Sequence, residues 1–200
     1  LLTTDQFQLA IGSLLGDASL CRSNSPRGRP GWVLAFAHGL DQKDYLEHKK
    51  LVIGGCKISG RPEGSNLGKQ VFQFHYKNRV ALQQVADLCL VNGKKTVTER
   101  WVSKLTDLGV AYWFQDDGSI IKTASGYAIR FYTNAFSHEE VEVLSRFMRR
   151  TYGAHCTISR GNKPSEPVLC MSRVKQVAGF SERTREFQAP SMERRFPCLR

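Results

Sequence analysis

The chain has no C-x-x-C pair and no histidines at zinc-finger spacing, although it holds six cysteines, at positions 21, 56, 89, 156, 170 and 198. That pattern argues against a zinc module or a disulfide framework, and the expectation is an intracellular protein whose thiols stay reduced and lie mostly in the core. Long hydrophobic runs are missing as well. No apolar stretch approaches the ~18 residues of a membrane span, and no signal peptide is visible. Gly12 and Gly16 form a G-x-x-x-G in an apolar run too short for a bilayer, which suits two helices that approach closely. The first residue is Leu1 rather than methionine, so a trimmed N-terminus is expected. Acidic residues are scarce beside basic ones, 18 against 29, which leaves a formal net charge of +11. The basic residues run from Arg22 to Arg200 rather than gathering in one tail. Such a field attracts a polyanion.

The few acids are placed oddly. Residues 111–120 read AYWFQDDGSI, an aromatic helical run ending in Asp116 and Asp117. A helix C-terminus already carries partial negative charge, so acids there are disfavoured by a few tenths to ~1 kcal/mol. Asp-Gly is also a common turn dipeptide, and a single DDG carries no more than that. Residues 11–20, IGSLLGDASL, align with this stretch without a gap and set Asp17 opposite Asp117, at an offset of one hundred residues in a chain of 200. A doubled feature needs a shared cause.

The order of elements doubles too. Helix signals run from Thr4 through Leu15, with strand-like segments near 19–24 and 32–38 around the loop SNSPRGRPG. Asp41 is expected to cap a helix in QKDYLEHKKLV, with Tyr45, Leu46 and Lys49 at helical spacing. Strands near 56–61 and 69–77 follow, the second alternating as VFQFHYK, and then a helix, RVALQQVADLCLVNG, stopped by Asn92-Gly93. In the second half one long helix, WVSKLTDLGVAYWFQDD, precedes strands near 119–123 and 127–134. Ser137 and Glu140 form a capping box for the helix HEEVEVLSRFMRR, and strands near 154–160 and 167–172 and a helix near 173–185 complete the repeat. The fold class expected is α+β, a pseudo-twofold repeat of αββαββα with antiparallel sheets. Its halves are 1–92 and 99–200, joined by a linker at 93–98 too short for freely moving domains.

The stretches GSLLGDASL and AYWFQDDGS resemble the two signature helices of LAGLIDADG homing endonucleases, in the single-chain, two-repeat, I-SceI-like branch. VNGKKTVTERWVSKLTDLGVAYWFQDDGS, TNAFSHEEVEVL and PSMERRF resemble that branch as well, so the similarity covers nearly the whole chain. The resemblance implies two central packed helices whose C-terminal ends point at DNA, and two curved sheets forming a DNA-binding saddle. Gly12, Ser13 and Gly16 suit the close approach, whereas Tyr112, Trp113 and Phe114 stand where small residues often sit.

It further implies a metal-dependent, site-specific phosphodiester hydrolase that cuts one bond per strand of a long, non-palindromic double-stranded target and leaves short 3′ overhangs. Asp17 and Asp117 would hold divalent cations, with Ala18 and Asp116 beside them in the metal set; Asp116 has no acidic counterpart, because Gly16 takes its place, and is read as supporting. Mg²⁺ is the expected metal, with Mn²⁺ substituting and Ca²⁺ supporting binding without cleavage. Lys95 stands at the position of the family's catalytic lysine and Arg195 where the second half normally has lysine, a departure that leaves its role open because arginine does not readily give up a proton. His38 and Asn134 fall where a water-positioning residue is expected.

Base recognition is expected from the strands, since a two-stranded ribbon fits the major groove and alternation aims every second side chain at the bases. Gln73, His75 and Lys77 form one row between core-facing Phe72, Phe74 and Tyr76, with Arg22, Asn24, Arg27, Arg29, Lys57, Ser59 and Arg61 available in the same half. Arg130 and Tyr132 form another, on one strand face with Asn134, joined by Lys122, Arg160 and Arg173; Lys163 is a phosphate-binding candidate. For any one of these a phosphate contact or a solvated charge is favoured over base reading, because most protein–DNA hydrogen bonds go to the backbone. The expectation is an intron-encoded, monomeric homing endonuclease, located in an organelle or a prokaryotic cytoplasm, with no membrane partner. An RNA maturase that assists splicing of its own intron RNA without cleavage is the alternative. Paired acids facing phosphate favour the nuclease.

Overall fold

The computed structural model describes residues 1–23, 31–61, 70–124, 126–161 and 166–195, apart from the side chains at 61, 194 and 195. The first half contains α1 (Thr4–Ser13), β1 (Ser19–Ser23), β2 (Gly31–Gly39), α2 (Lys43–Ile53), β3 (Ser59–Arg61), β4 (Val71–Tyr76) and α3 (Arg79–Cys89). A small hairpin, β5 (Leu90–Val91) and β6 (Lys94–Lys95), leads to α4 (Glu99–Val102). The second half repeats the pattern as α5 (Asp107–Asp117), β7 (Gly118–Thr123), β8 (Gly126–Phe131), α6 (His138–Tyr152), β9 (Cys156–Arg160), β10 (Pro167–Met171) and α7 (Val174–Arg185), followed by a 3₁₀ turn at Pro190–Arg195. The fold is α+β. Each half has an antiparallel four-stranded sheet in matching order, β1-β2-β4-β3 and β7-β8-β10-β9.

Three local expectations are corrected, and the segment expected as a linker has structure of its own. Asp41 does not cap α2: it lies in a 3₁₀ turn, Leu40–Gln42, and the helix starts after Gln42 without a side-chain cap. The long helix expected from Trp101 is two, because Thr98 caps α4 through its side chain while extended Thr106 opens α5. Its orphan amide is met from another helix, Thr106 donating to Gln8 Oε1 at 2.9 Å. The segment expected as a linker carries strand β6, paired with β5 across the Asn92–Gly93 turn, where both residues have positive φ (53° and 77°). The thiols are less buried than expected: Cys89 is in the core, but Cys21 and Cys56 are exposed and Cys156 and Cys170 half-buried. By contrast, the Ser137–Glu140 capping box is present at the start of α6.

Helices α1 and α5 pack side by side, and their contact explains the misplaced bulk in AYWF. A Cβ at Gly12 would stand 2.1 Å from the Gly109 carbonyl oxygen, so the backbones touch where both residues are glycine. Tyr112, Trp113 and Phe114 are not the close-approach residues. Trp113 stacks on Phe131 of β8 at 4.2 Å between ring centroids, and Phe114 meets Phe180 of α7 edge-on at 5.5 Å. Trp101 of α4 is fully buried and donates from its indole nitrogen to the Ile11 carbonyl (3.2 Å), tying α4 to α1. Among the described residues no helix is long and apolar enough to cross a membrane.

Candidate functional site

The two helix ends differ in detail. Asp117 is the last residue of α5, whereas α1 stops at Ser13 and Asp17 sits in the turn that follows, closed by Ala18 N donating to Ser13 O at 2.9 Å. Asp117 is half-buried; Asp17 is exposed, with 39% of its side-chain surface open. The end of α5 is strapped to the sheet by Tyr132 N donating to Asp117 O (2.8 Å). Ala18 is buried, at 3% exposure.

Lys95 lies within the electrostatic reach of both acids. It lies half-buried on β6, with its ammonium 5.3 Å from the centre of the Phe136 ring. Burial holds its pKa below the ordinary 10.5, and the charges of Asp117 and Asp17, in that order, oppose the fall. The lysine and the two acids therefore share one electrostatic neighbourhood. Arg195 lies in the 3₁₀ turn after α7, and its side chain is outside the described residues.

Asp116 is wholly buried against Lys49 of α2, Nζ to Oδ1 at 2.5 Å with no exposure of either side chain. Lys49 also donates to His38 Nε2 (3.1 Å) and lies over the Tyr45 ring at 4.4 Å. The other ring nitrogen of His38 is 2.8 Å from Gln42 Oε1 and 3.4 Å from Asp17 Oδ2. A chain of polar groups thus runs Asp17–His38–Lys49–Asp116 across the two halves. Burial first, then the Asp116 charge, pushes the Tyr45 phenol well above its ordinary value. That phenol nevertheless falls short of a good hydrogen bond to Asp116: Tyr45 Oη and Asp116 Oδ2 both lack a partner among the described residues. Gly16 lets the acid lie here, since a Cβ would stand 2.4 Å from Asp116 Cβ.

Asp17, His38 and Asp116 each offer a ligand atom within 4.8 Å of the others. Carboxylate oxygens suit a hard divalent cation, but the Lys49 ammonium already supplies positive charge to Asp116 Oδ1. That leaves Asp116 a poorer ligand for such an ion than Asp17, whose carboxylate is open to solvent.

Among the water-positioning candidates, His38 is brought to Asp17 and buried, whereas Asn134 is not on β8 as expected. The strand ends at Phe131, and Asn134 is exposed in the turn beyond, donating to Glu166 Oε2 at 3.4 Å. A cleft of about 250 Å³ is lined by Arg130, Tyr132, Asn134, Ser159, Arg160, Gly161 and Val168. Arg130 lies across from Ser119 and Cys170 on the face opposite buried Ile129 and Phe131. Lys122 is exposed but pairs with Tyr127, on the face of Ile129 and Phe131. Arg173 is exposed just before α7.

In the first half, Phe74 sits opposite Phe36, stacked at 4.8 Å and 1% exposed, which sends Gln73 and His75 to the other face beside Ala37 and Ala35. Ser59 pairs with Gln73 on that face, and Lys57 and Lys77 are exposed just outside the strands. Phe72 and Tyr76 are only partly buried. Arg22 pairs with Trp32 and lies over its ring at 4.9 Å, on the face of Leu34 and Phe36. Asn24, Arg27, Arg29 and Lys163, and the side chain of Arg61, fall outside the described residues. Sequence reasoning missed the roles of Lys49, Gln42 and Tyr45; a lysine at the apolar spacing of Tyr45, Leu46 and Ile53 was the available signal.

Two packed helices carrying acids at their ends, each half adding a four-stranded antiparallel sheet, define the class of the fold. The model of the LAGLIDADG DNA endonuclease family matches residues 7–177. The chain belongs to that family. It is 32% identical over 201 residues to a protein named RecA from Mycolicibacterium flavescens, covering 96% of this chain and 46% of the relative, and 27% identical to the uncharacterized protein MJ1098 of Methanocaldococcus jannaschii, covering 94% and 72%. The chain spans about half the length of the RecA relatives that it matches along most of its own. Among solved structures, the homing endonuclease I-WcaI bound to its DNA recognition sequence superposes with a TM-score of 0.79 at 22% identity, over 98% of this chain and 87% of that one. I-DmoI in complex with DNA and Mn gives 0.56 at 13% identity, over 90% and 96%.

Proposed function

We infer that the chain is a monomeric, sequence-specific homing endonuclease of the single-chain, two-repeat, I-SceI-like type. It cuts both strands of a non-palindromic DNA target by metal-dependent hydrolysis and leaves short 3′ overhangs. The carrying observation is that Asp17 and Asp117 lie at or just past the C-terminal ends of the two helices that pack at Gly12 and Gly109, with the half-buried Lys95 feeling the charge of both. Asp17 and Asp117 would hold the divalent ions, with Mg²⁺ as the working metal. Such an ion would supply Lewis acidity and make it easier for water to lose a proton and become a nucleophile toward phosphorus. Lys95 supplies positive charge where phosphate charge grows in the transition state, and its partial burial lessens screening by water. His38, whose Nδ1 is 3.4 Å from Asp17 Oδ2, orients groups around that acid. The outward rows, Gln73 with His75 and Arg130 with Tyr132, read bases in opposite half-sites, and the surrounding lysines and arginines bind phosphate.

An intron-encoded origin stays part of this proposal, as does an action on the chain's own intron RNA. The RecA relatives, more than twice as long as the stretch they share with this chain, favour an endonuclease carried within a host reading frame. Selection of cleaved molecules from a randomised duplex library with Mg²⁺, with Ca²⁺ as the binding-only control, tests the function. Enrichment of one asymmetric site with staggered ends supports it; no Mg²⁺-dependent product from any duplex counts against it.

A further inference from the structure

The nuclease reading leaves one charged side chain at the helix ends without a task. Lys49 is fully buried and bonded to both Asp116 Oδ1 and His38 Nε2. An ammonium has three hydrogens and no lone pair, so in both bonds it is the donor. His38 Nε2 must then present a lone pair, and the proton of the neutral ring sits on Nδ1. That nitrogen lies 2.8 Å from Gln42 Oε1 and 3.4 Å from Asp17 Oδ2, two acceptors that a ring hydrogen suits.

The geometry points to Lys49 as a positioning residue that locks His38 in the Nδ1–H tautomer facing Asp17, and so serves one of the two strand cuts selectively. This rests on the endonuclease reading for its consequence, though the tautomer itself does not. Lys49 is anchored from the opposite half: Asp116 belongs to α5, so the tautomer at the Asp17 end depends on an acid at the Asp117 end. The device is one-sided. Asn134, the residue expected to match His38, donates to Glu166 in an exposed turn and has no ring whose proton needs placing.

Strand-specific cleavage with both ends labelled reads the effect. Lys49→Met combined with Asp116→Leu exchanges the ion pair for apolar groups of similar size, which spares the fold an uncompensated buried charge. Relative to wild type, one strand should be cut about tenfold or more slowly than the other, as is common when a residue orienting a ligand is lost. His38→Ala should slow the same strand, and adding it to the pair replacement should cost nothing further, because Lys49 acts through His38. Equal slowing of both strands, or costs that multiply, would overturn the proposal. ¹⁵N NMR of the imidazole in the unaltered protein gives a second reading that needs no variant. A protonated Nδ1 with an unprotonated Nε2 supports the lock, and a protonated Nε2 overturns it. Wild-type protein that binds DNA but cuts neither strand with Mg²⁺ would sink the endonuclease reading, while the NMR result still decides the tautomer.

Discussion

Lys49 Nζ stands 2.5 Å from Asp116 Oδ1 with both side chains closed to water, so a charge pair joins α2 of the first half to the end of α5 in the second. Removing one member leaves the other charged and buried, which typically costs 3–5 kcal/mol, whereas replacing both by apolar groups is often neutral. Lys49→Met should therefore lower stability by about 3–5 kcal/mol, and adding Asp116→Leu should restore most of it. Urea unfolding of the two variants checks this. If the single change alone is harmless, the pair does not join the halves energetically.

The Gly12–Gly109 crossing makes a second stability prediction. Gly12→Ala would place its methyl 2.1 Å from a carbonyl oxygen of the neighbouring backbone, which cannot swing aside as a flexible side chain does. The helices must separate, at a cost of about 1–3 kcal/mol or more. Thermal unfolding reads the loss, and an unchanged midpoint would contradict the backbone contact.

Lys95 predicts a pH dependence. Its folded pKa lies below 10.5, so the unfolded chain holds its proton more tightly and the charged form weakens the fold. The penalty is fully present below the lowered value. It disappears as pH rises from there toward 10.5. Over that window the stability of wild type should gain on that of Lys95→Gln, as followed by urea unfolding; a difference independent of pH would place Lys95 in water.

Strand alternation predicts separable effects at neighbouring positions. Gln73→Ala should relax preference at one or two base pairs of one half-site by ~1–3 kcal/mol, with no effect in the other half-site. Phe74→Ala should lower stability by roughly 3–5 kcal/mol without changing base preference. A cleavage profile over all single-base target variants distinguishes them, and altered base choice in Phe74→Ala alone would mean the wrong face had been assigned to DNA.

These elements show which features a sequence can carry by itself. VFQFHYK alternates because one side packs on Phe36, and S-x-x-E at Ser137 is a local exchange of two hydrogen bonds, so both were legible from adjacent residues. The repeat likewise announced that Asp17 and Asp117 lie at or just past the ends of matching helices. The break at Thr106 was not legible, because the group that receives its amide, Gln8, is 98 positions away. Lys49 was visible as a charge on an apolar helix face, but its partner lies 67 positions off and appears only when the halves pack. Asn134 was misplaced by extending β8 three residues beyond its last ladder position, Phe131.

The most direct test of the paired-acid site compares Asp17→Asn and Asp117→Asn with wild type on the selected target, measuring double-strand cleavage in Mg²⁺ and binding in Ca²⁺. Each substitution removes a carboxylate that would coordinate metal and also lessens repulsion with the phosphates. Double-strand cleavage should vanish in both variants while specific binding persists, and Asp116→Asn should lose much less. Cleavage at the wild-type rate by either Asp17→Asn or Asp117→Asn would contradict the site.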